Sequence, residues 1–62
     1  MIASAVSVLK VEELAARWAV DRKTIFGMIA RGEITVLRVG RLIRIPLHVV
    51  ERLEQAGAVQ GG

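Results

Sequence analysis

The sequence predicts a small, mainly α fold carrying one β-hairpin: two short helices joined by a tight turn, a two-stranded hairpin, then a third helix. Three observations predict it. Apolar residues recur at helical spacing in three separate segments. Between the second and third of these, Leu37-Arg38-Val39 and Ile43-Arg44-Ile45 alternate aliphatic and basic residues on either side of Gly40. Gly32, Pro46 and Gly57 stand where such elements end or begin.

The first helix is marked by Val11, Leu14, Ala15 and Trp18 at i, i+3, i+4 and i+7, with Glu12 and Glu13 in the first turn to complement the helix dipole. Lys10 holds the N-cap position, where a residue with a side-chain acceptor is preferred. The helix is expected to end near Trp18 or Ala19. Asp21 is a suitable N-cap for a second helix with Ile25, Met28 and Ile29 as its apolar stripe. Arg31-Gly32 closes it, with a cation in the last turn and a glycine just beyond. A connection of about three residues, Ala19 to Asp21, makes the pair a helix-turn-helix. The hairpin occupies Thr35 to Ile45, and Pro46 suits the first turn of the third helix. Val49, Val50 and Leu53 form that helix's apolar face, opposite Glu51, Arg52 and Glu54. This divides the chain into an N-terminal extension (1–8), the domain (9–56) and a tail (57–62) expected to be disordered.

The hairpin admits two registers. With Gly40-Arg41-Leu42 as the connection, Val39 faces Ile43, the aliphatic residues share one face, and Arg38 stands opposite Arg44 on the other. A two-residue loop would pair Arg38 with Ile43 and mix the faces, so the first register is expected. Arg38 and Arg44, being like charges side by side, then call for an anion between or beside them, and a phosphate is the obvious one.

With 62 residues there is room for one small domain, and such a chain buries only about 60% of its unfolded surface. It has no cysteine, hence no disulfide and no thiolate metal site, but its apolar content is 53%. The lack of cysteine fits a cytoplasmic protein. No apolar run approaches the roughly 18 residues of a membrane span, and the apolar start, Met1 to Leu9, has no basic leader. The net charge is +3, unevenly spread: Arg22, Lys23, Arg31, Arg38, Arg41 and Arg44 against Glu33 alone give the middle of the chain +5, between flanks that are each slightly acidic. A basic centre of this kind is the footprint of a face that meets a polyanion.

On a helical wheel Lys23, Phe26, Gly27 and Ala30 turn away from the stripe of the second helix. Arg22 and Lys23 lie in its first turn, the end that enters the major groove of DNA in helix-turn-helix proteins and whose free N–H groups also suit phosphate. Lys23 is the candidate for a base edge and Arg22 for a phosphate or base. Thr24 suits a phosphate or its own helix backbone. Phe26 suits a sugar or thymine methyl, or packing on the hairpin. Gly27 suits close approach of helix and DNA, or close packing. Arg31, Arg38, Arg41 and Arg44 complete the basic set, with Arg41 at the hairpin tip and Arg38 and Arg44 placed to reach phosphates or the minor groove.

Four stretches stand in this order: Leu9-Lys10-Val11-Glu12-Glu13-Leu14-Ala15, Val20-Asp21-Arg22-Lys23-Thr24-Ile25, Ile29-Ala30-Arg31-Gly32-Glu33-Ile34 and Arg38-Val39-Gly40-Arg41-Leu42-Ile43-Arg44-Ile45-Pro46. Together, over most of residues 9–53, they resemble the small winged helix-turn-helix domain of phage and mobile-element excisionases, relatives of the MerR-type DNA-binding domain. The resemblance implies that the second helix enters the major groove of double-stranded DNA while the hairpin wing contacts the adjacent backbone or minor groove. The chain departs from the family at three positions. Lys10 replaces a capping hydroxyl. Ala19 replaces the glycine of the turn, which predicts a wider turn. Gly27 replaces a polar side chain aimed at DNA, which shifts sequence preference toward Lys23, the wing and DNA shape.

Chemistry is not expected. The lone histidine, His48, has Glu51 three residues on, but one imidazole and one carboxylate do not make a metal site, and no phosphate loop or nucleophile motif is present. No cofactor, metal, small-molecule ligand or membrane partner is expected. The resemblance implies an excisionase, or recombination directionality factor, that binds beside an attachment site and assists an integrase in excision, with further copies of itself in head-to-tail arrays on the DNA. A small transcription regulator of the same fold uses the same face, and a protein-interaction module with a basic face for an acidic partner is the third expectation. Ile2, Val6 and Val8 fit either a contact to a neighbouring copy or integrase, or a strand packed on the domain.

Overall fold

In the computed structural model, which describes residues 7–57, the elements run in the order β1 (Val8–Leu9), α1 (Val11–Trp18), α2 (Arg22–Ala30), β2 (Leu37–Val39), β3 (Leu42–Pro46) and α3 (Leu47–Gln55). Helices α1 and α3 pack on a small antiparallel sheet of three strands in the order β1-β3-β2, and α2 packs against α1. The arrangement mixes helix and sheet and is compatible with the expected order of helices and hairpin, and adds a third strand to it. Each major element contributes one side chain of 0% exposure to the centre: Leu14 from α1, Ile25 from α2, Ile45 from β3 and Val50 from α3. Val11, Ala15, Trp18 and Ile34 close the core around them.

The ends of α1 follow from what its terminal residues can and cannot do. Lys10 is its extended N-cap, but an ammonium accepts no hydrogen bond. The first turn is instead fastened from the other side, where Glu13 Oε1 accepts the Lys10 N–H at 2.8 Å. At the C-terminus Ala19 adopts the left-handed conformation (φ 57°, ψ 45°), and Val20 N–H donates to the Ala15 carbonyl at 2.9 Å. This is a Schellman closure with alanine where glycine belongs. The turn is therefore tight rather than wide, because burial of Trp18 on one side and Ile25 on the other holds the two helices together at the expense of backbone strain at Ala19. Ala19→Gly is expected to stabilise the fold by roughly 0.5–1 kcal/mol. A circular-dichroism melt should show the Tm rising by a few degrees, and a lowered Tm would mean that Ala19 carries no strain.

Asp21 occupies the N-cap of α2 in extended conformation, but its side chain makes no cap bond, and its carbonyl alone closes the first turn, accepting Thr24 N–H at 3.0 Å. Gly32 (φ 76°) ends the helix as expected, with Glu33 N–H bonded to the Met28 carbonyl at 2.8 Å.

The hairpin register differs from the expectation. Strands β2 and β3 pair Leu37 with Arg44, Arg38 with Ile43 and Val39 with Leu42, leaving a two-residue loop, Gly40-Arg41. Gly40, at the first loop position, has φ 61° and Arg41 has no positive φ, the pattern of a type II′ turn. A two-residue turn of this kind matches strand twist, and that preference outweighs keeping the aliphatic residues together. Ile43 and Ile45 face the core side, while Leu37, Val39 and Leu42 stay exposed on the other. Arg38 and Arg44 lie on opposite faces and need no anion between them.

Pro46 is the buried N-cap of α3 (φ −60°) rather than part of its first turn. Strand β1 pairs with β3 through Val8↔Pro46 and Leu9↔Ile45, and the Ser7 carbonyl accepts Leu47 N–H at 2.9 Å, satisfying one orphan donor of α3. Val8, read with the extension, thus lies in a strand. Ile2 and Val6, like the tail from residue 58, lie outside the described residues. Among those described, no helix is long and apolar enough to cross a membrane.

A polar tie joins α1 to α3. Glu54 accepts from Arg17 Nε (2.7 Å), Arg17 Nη2 (2.9 Å) and Trp18 Nε1 (2.7 Å). The Arg17 hydrogen bond first, then that of Trp18, holds the Glu54 carboxyl down at about 2. Because the folded-state value lies below the ordinary one of 4.5, the tie stabilises the fold fully above that pH and is lost as pH falls toward 2. Glu54→Gln should therefore be less stable than the parent near neutrality, with the gap closing between about pH 4.5 and 2 in parallel melts. A gap independent of pH would mean that the carboxylate charge is not what matters.

Candidate nucleic-acid interface

The register Leu9↔Ile45 carries Lys10 alongside Arg44, and the tight turn after α1 brings the start of α2 to the same side. Between these and the hairpin lies an open cleft of about 420 Å³. Its cations are Lys10, Arg22, Arg41 and Arg44, and its apolar surface comes from Val11, Phe26, Leu42 and Ile43. Glu12 is the one acid that lines it. Glu12 stands 3.9 Å from Arg22 with both side chains more than 60% exposed, so the pair neutralises little. Arg44 is braced by its own strand, Nη1 donating to the Ile43 carbonyl at 2.8 Å. Among the described residues Lys10, Lys23, Arg38, Arg41 and Arg44 form no ion pair.

Of the nine residues expected at a DNA face, the fold gathers four around this cleft: Arg22 and Phe26 from α2, Arg41 and Arg44 from the hairpin. Lys23 and Thr24 are exposed on the first turn of α2, outside it. Arg38 is exposed on the hairpin face opposite Arg44. Gly27 and Arg31 form a separate corner. Arg31 donates to Glu33 through Nε (2.7 Å) and Nη2 (3.3 Å), and its Nη1 lies 3.3 Å from where a Cβ at position 27 would stand. The space left by Gly27 is thus filled by the Arg31 guanidinium. Hydrogen bonding to Arg31 holds Glu33 below the usual carboxylate range and Arg31 above its own, so this cation is already partly neutralised.

Sequence reasoning missed Lys10 as a site residue and read it only as a poor cap. Its place depends on a strand pairing with a partner far along the chain, a contact no local pattern reports. The remaining cations combine several unpaired charges with exposed apolar surface, a combination suited to phosphate groups carried on sugars and rings. Among the described residues no group of three or more His, Cys, Asp or Glu could hold a metal ion. Comparisons with protein-family models, curated proteins and solved structures return no match.

Proposed function

We propose that this chain binds double-stranded DNA as a small winged helix-turn-helix, with α2 in the major groove and the β2–β3 hairpin as the wing over the neighbouring backbone. The observation that carries this is the cleft between α2 and the hairpin, where Lys10, Arg22, Arg41 and Arg44 converge on a concave surface with a single, weakly paired acid. A strand of sugar and phosphate seated there runs between the two elements that grip it, with Lys23 exposed toward base edges and Arg22 toward phosphate. No catalytic chemistry is assigned to it, and its place of work is the cytoplasm, on the chromosome. Within this class the four stretches that resemble excisionases favour a recombination directionality factor that shapes DNA beside an attachment site and works with an integrase. Footprinting the purified protein on the DNA flanking its own coding region tests this. Spaced protected repeats beside a recombination site support the excisionase. Protection over a promoter, with no such site nearby, supports a transcription regulator. No protection at low salt would sink DNA binding and leave the basic face to an acidic protein partner.

A further inference from the structure

Phe26 is the chain's only phenylalanine. There is no tyrosine, and the single tryptophan is buried, yet Phe26 is 46% exposed at the wall of the cleft, beside Leu42 at 52%. An intact duplex offers such a surface a sugar edge or a thymine methyl but no open base face on which a flat ring can stack. A ring attached to a phosphate complements both halves of this open cleft, of about 420 Å³, at once. We infer that the cleft accepts one unpaired nucleotide of a DNA strand, the base lying on Phe26 and its phosphates among Lys10, Arg22, Arg41 and Arg44. This rests on the DNA-binding reading above and deepens it.

Energetics decide when the pocket is used. Stacking a base on an aromatic side chain strengthens binding on the order of tenfold, and pulling a paired base out of a duplex costs at least as much. Intact DNA therefore binds with the cleft holding backbone only. A gap, bulge or melted step, where the base is already unpaired, gains the full stacking contribution. The protein then prefers distorted DNA to straight DNA without reading any base.

The test is fluorescence anisotropy with a labelled duplex of about 20 base pairs and the same duplex interrupted by a short single-stranded gap. The wild type should bind the gapped DNA about tenfold more tightly. Phe26→Ala should abolish the roughly tenfold difference between the two DNAs. Phe26→Leu, which keeps apolar bulk but no flat face, should behave like the alanine variant and guards against a folding artefact. Equal wild-type affinity for the two DNAs, or an equal loss on both in the Phe26 variants, overturns the unpaired-nucleotide site and leaves duplex binding standing. Failure to bind either DNA overturns both.

Discussion

Trp18→Ala should lower the stability of the domain by about 3–5 kcal/mol, the largest loss expected of any single substitution. Trp18 is 7% exposed, closes the core beside Leu14 and Ile25, and donates its indole N–H to Glu54 at 2.7 Å. Truncating a buried tryptophan costs about 3–5 kcal/mol. At the usual 0.05–0.15 kcal/mol per residue, a domain of this length has about 3–9 kcal/mol in total. The loss thus takes from about a third of that stability to all of it. The substitution also takes from Glu54 the indole N–H, leaving it only Arg17 as a donor. Urea unfolding followed by circular dichroism checks this, with Phe26→Ala as an exposed aromatic control that should unfold near the wild-type midpoint. A Trp18→Ala protein with an unchanged midpoint would place the indole outside the core.

The second large effect is on salt. Lys10, Arg22, Lys23, Arg41 and Arg44 form five cationic positions, in or beside the cleft, that are unpaired or only weakly paired. Each phosphate contact contributes about −0.9 to the slope of log K against log salt, so the slope should be about −4 to −5. Between about 50 and 200 mM salt the affinity for duplex DNA then falls a few hundredfold. Arg41→Ala and Arg44→Ala should each flatten the slope by about one. Arg31→Ala should change it least, because Glu33 already partly neutralises that guanidinium at 2.7 Å. Titrations at several salt concentrations decide the matter, and a slope near −1 would mean the cleft does not meet a phosphate backbone.

What could be read from the sequence was set by local physics. The stripe of Val11, Leu14, Ala15 and Trp18 reports a helix because its spacing is a property of one segment, and all four residues are buried along α1. Gly32 reports a helix end because few other residues take its φ of 76°. Ala19 hides a turn of the same kind, since nothing local reveals that tertiary packing will force alanine into that conformation. The hairpin was visible but its register was not. Two preferences conflicted, the segregation of aliphatic from basic residues and the geometry of a two-residue turn, and only the whole fold shows that exposed Leu37, Val39 and Leu42 are tolerated. The basic residues of α2 and the hairpin were legible as a set, but their division into cleft, opposite face and the Arg31–Glu33 corner was not. Strand β1 is two residues long, too short to carry a pattern, and with it Lys10 was missed.

The pairing of β1 with β3 has a consequence for how the chain reaches its fold. Leu9 meets Ile45, and α1 is tied to α3 by contacts 36 and 37 positions apart, so the first described element is completed by the last two. Closing so long a loop costs entropy that neither α1 nor α2 can repay alone, since helices of 8 and 9 residues are marginal by themselves in water. During synthesis the two helices are therefore expected to consolidate fully only once the segment through α3 has emerged from the ribosome.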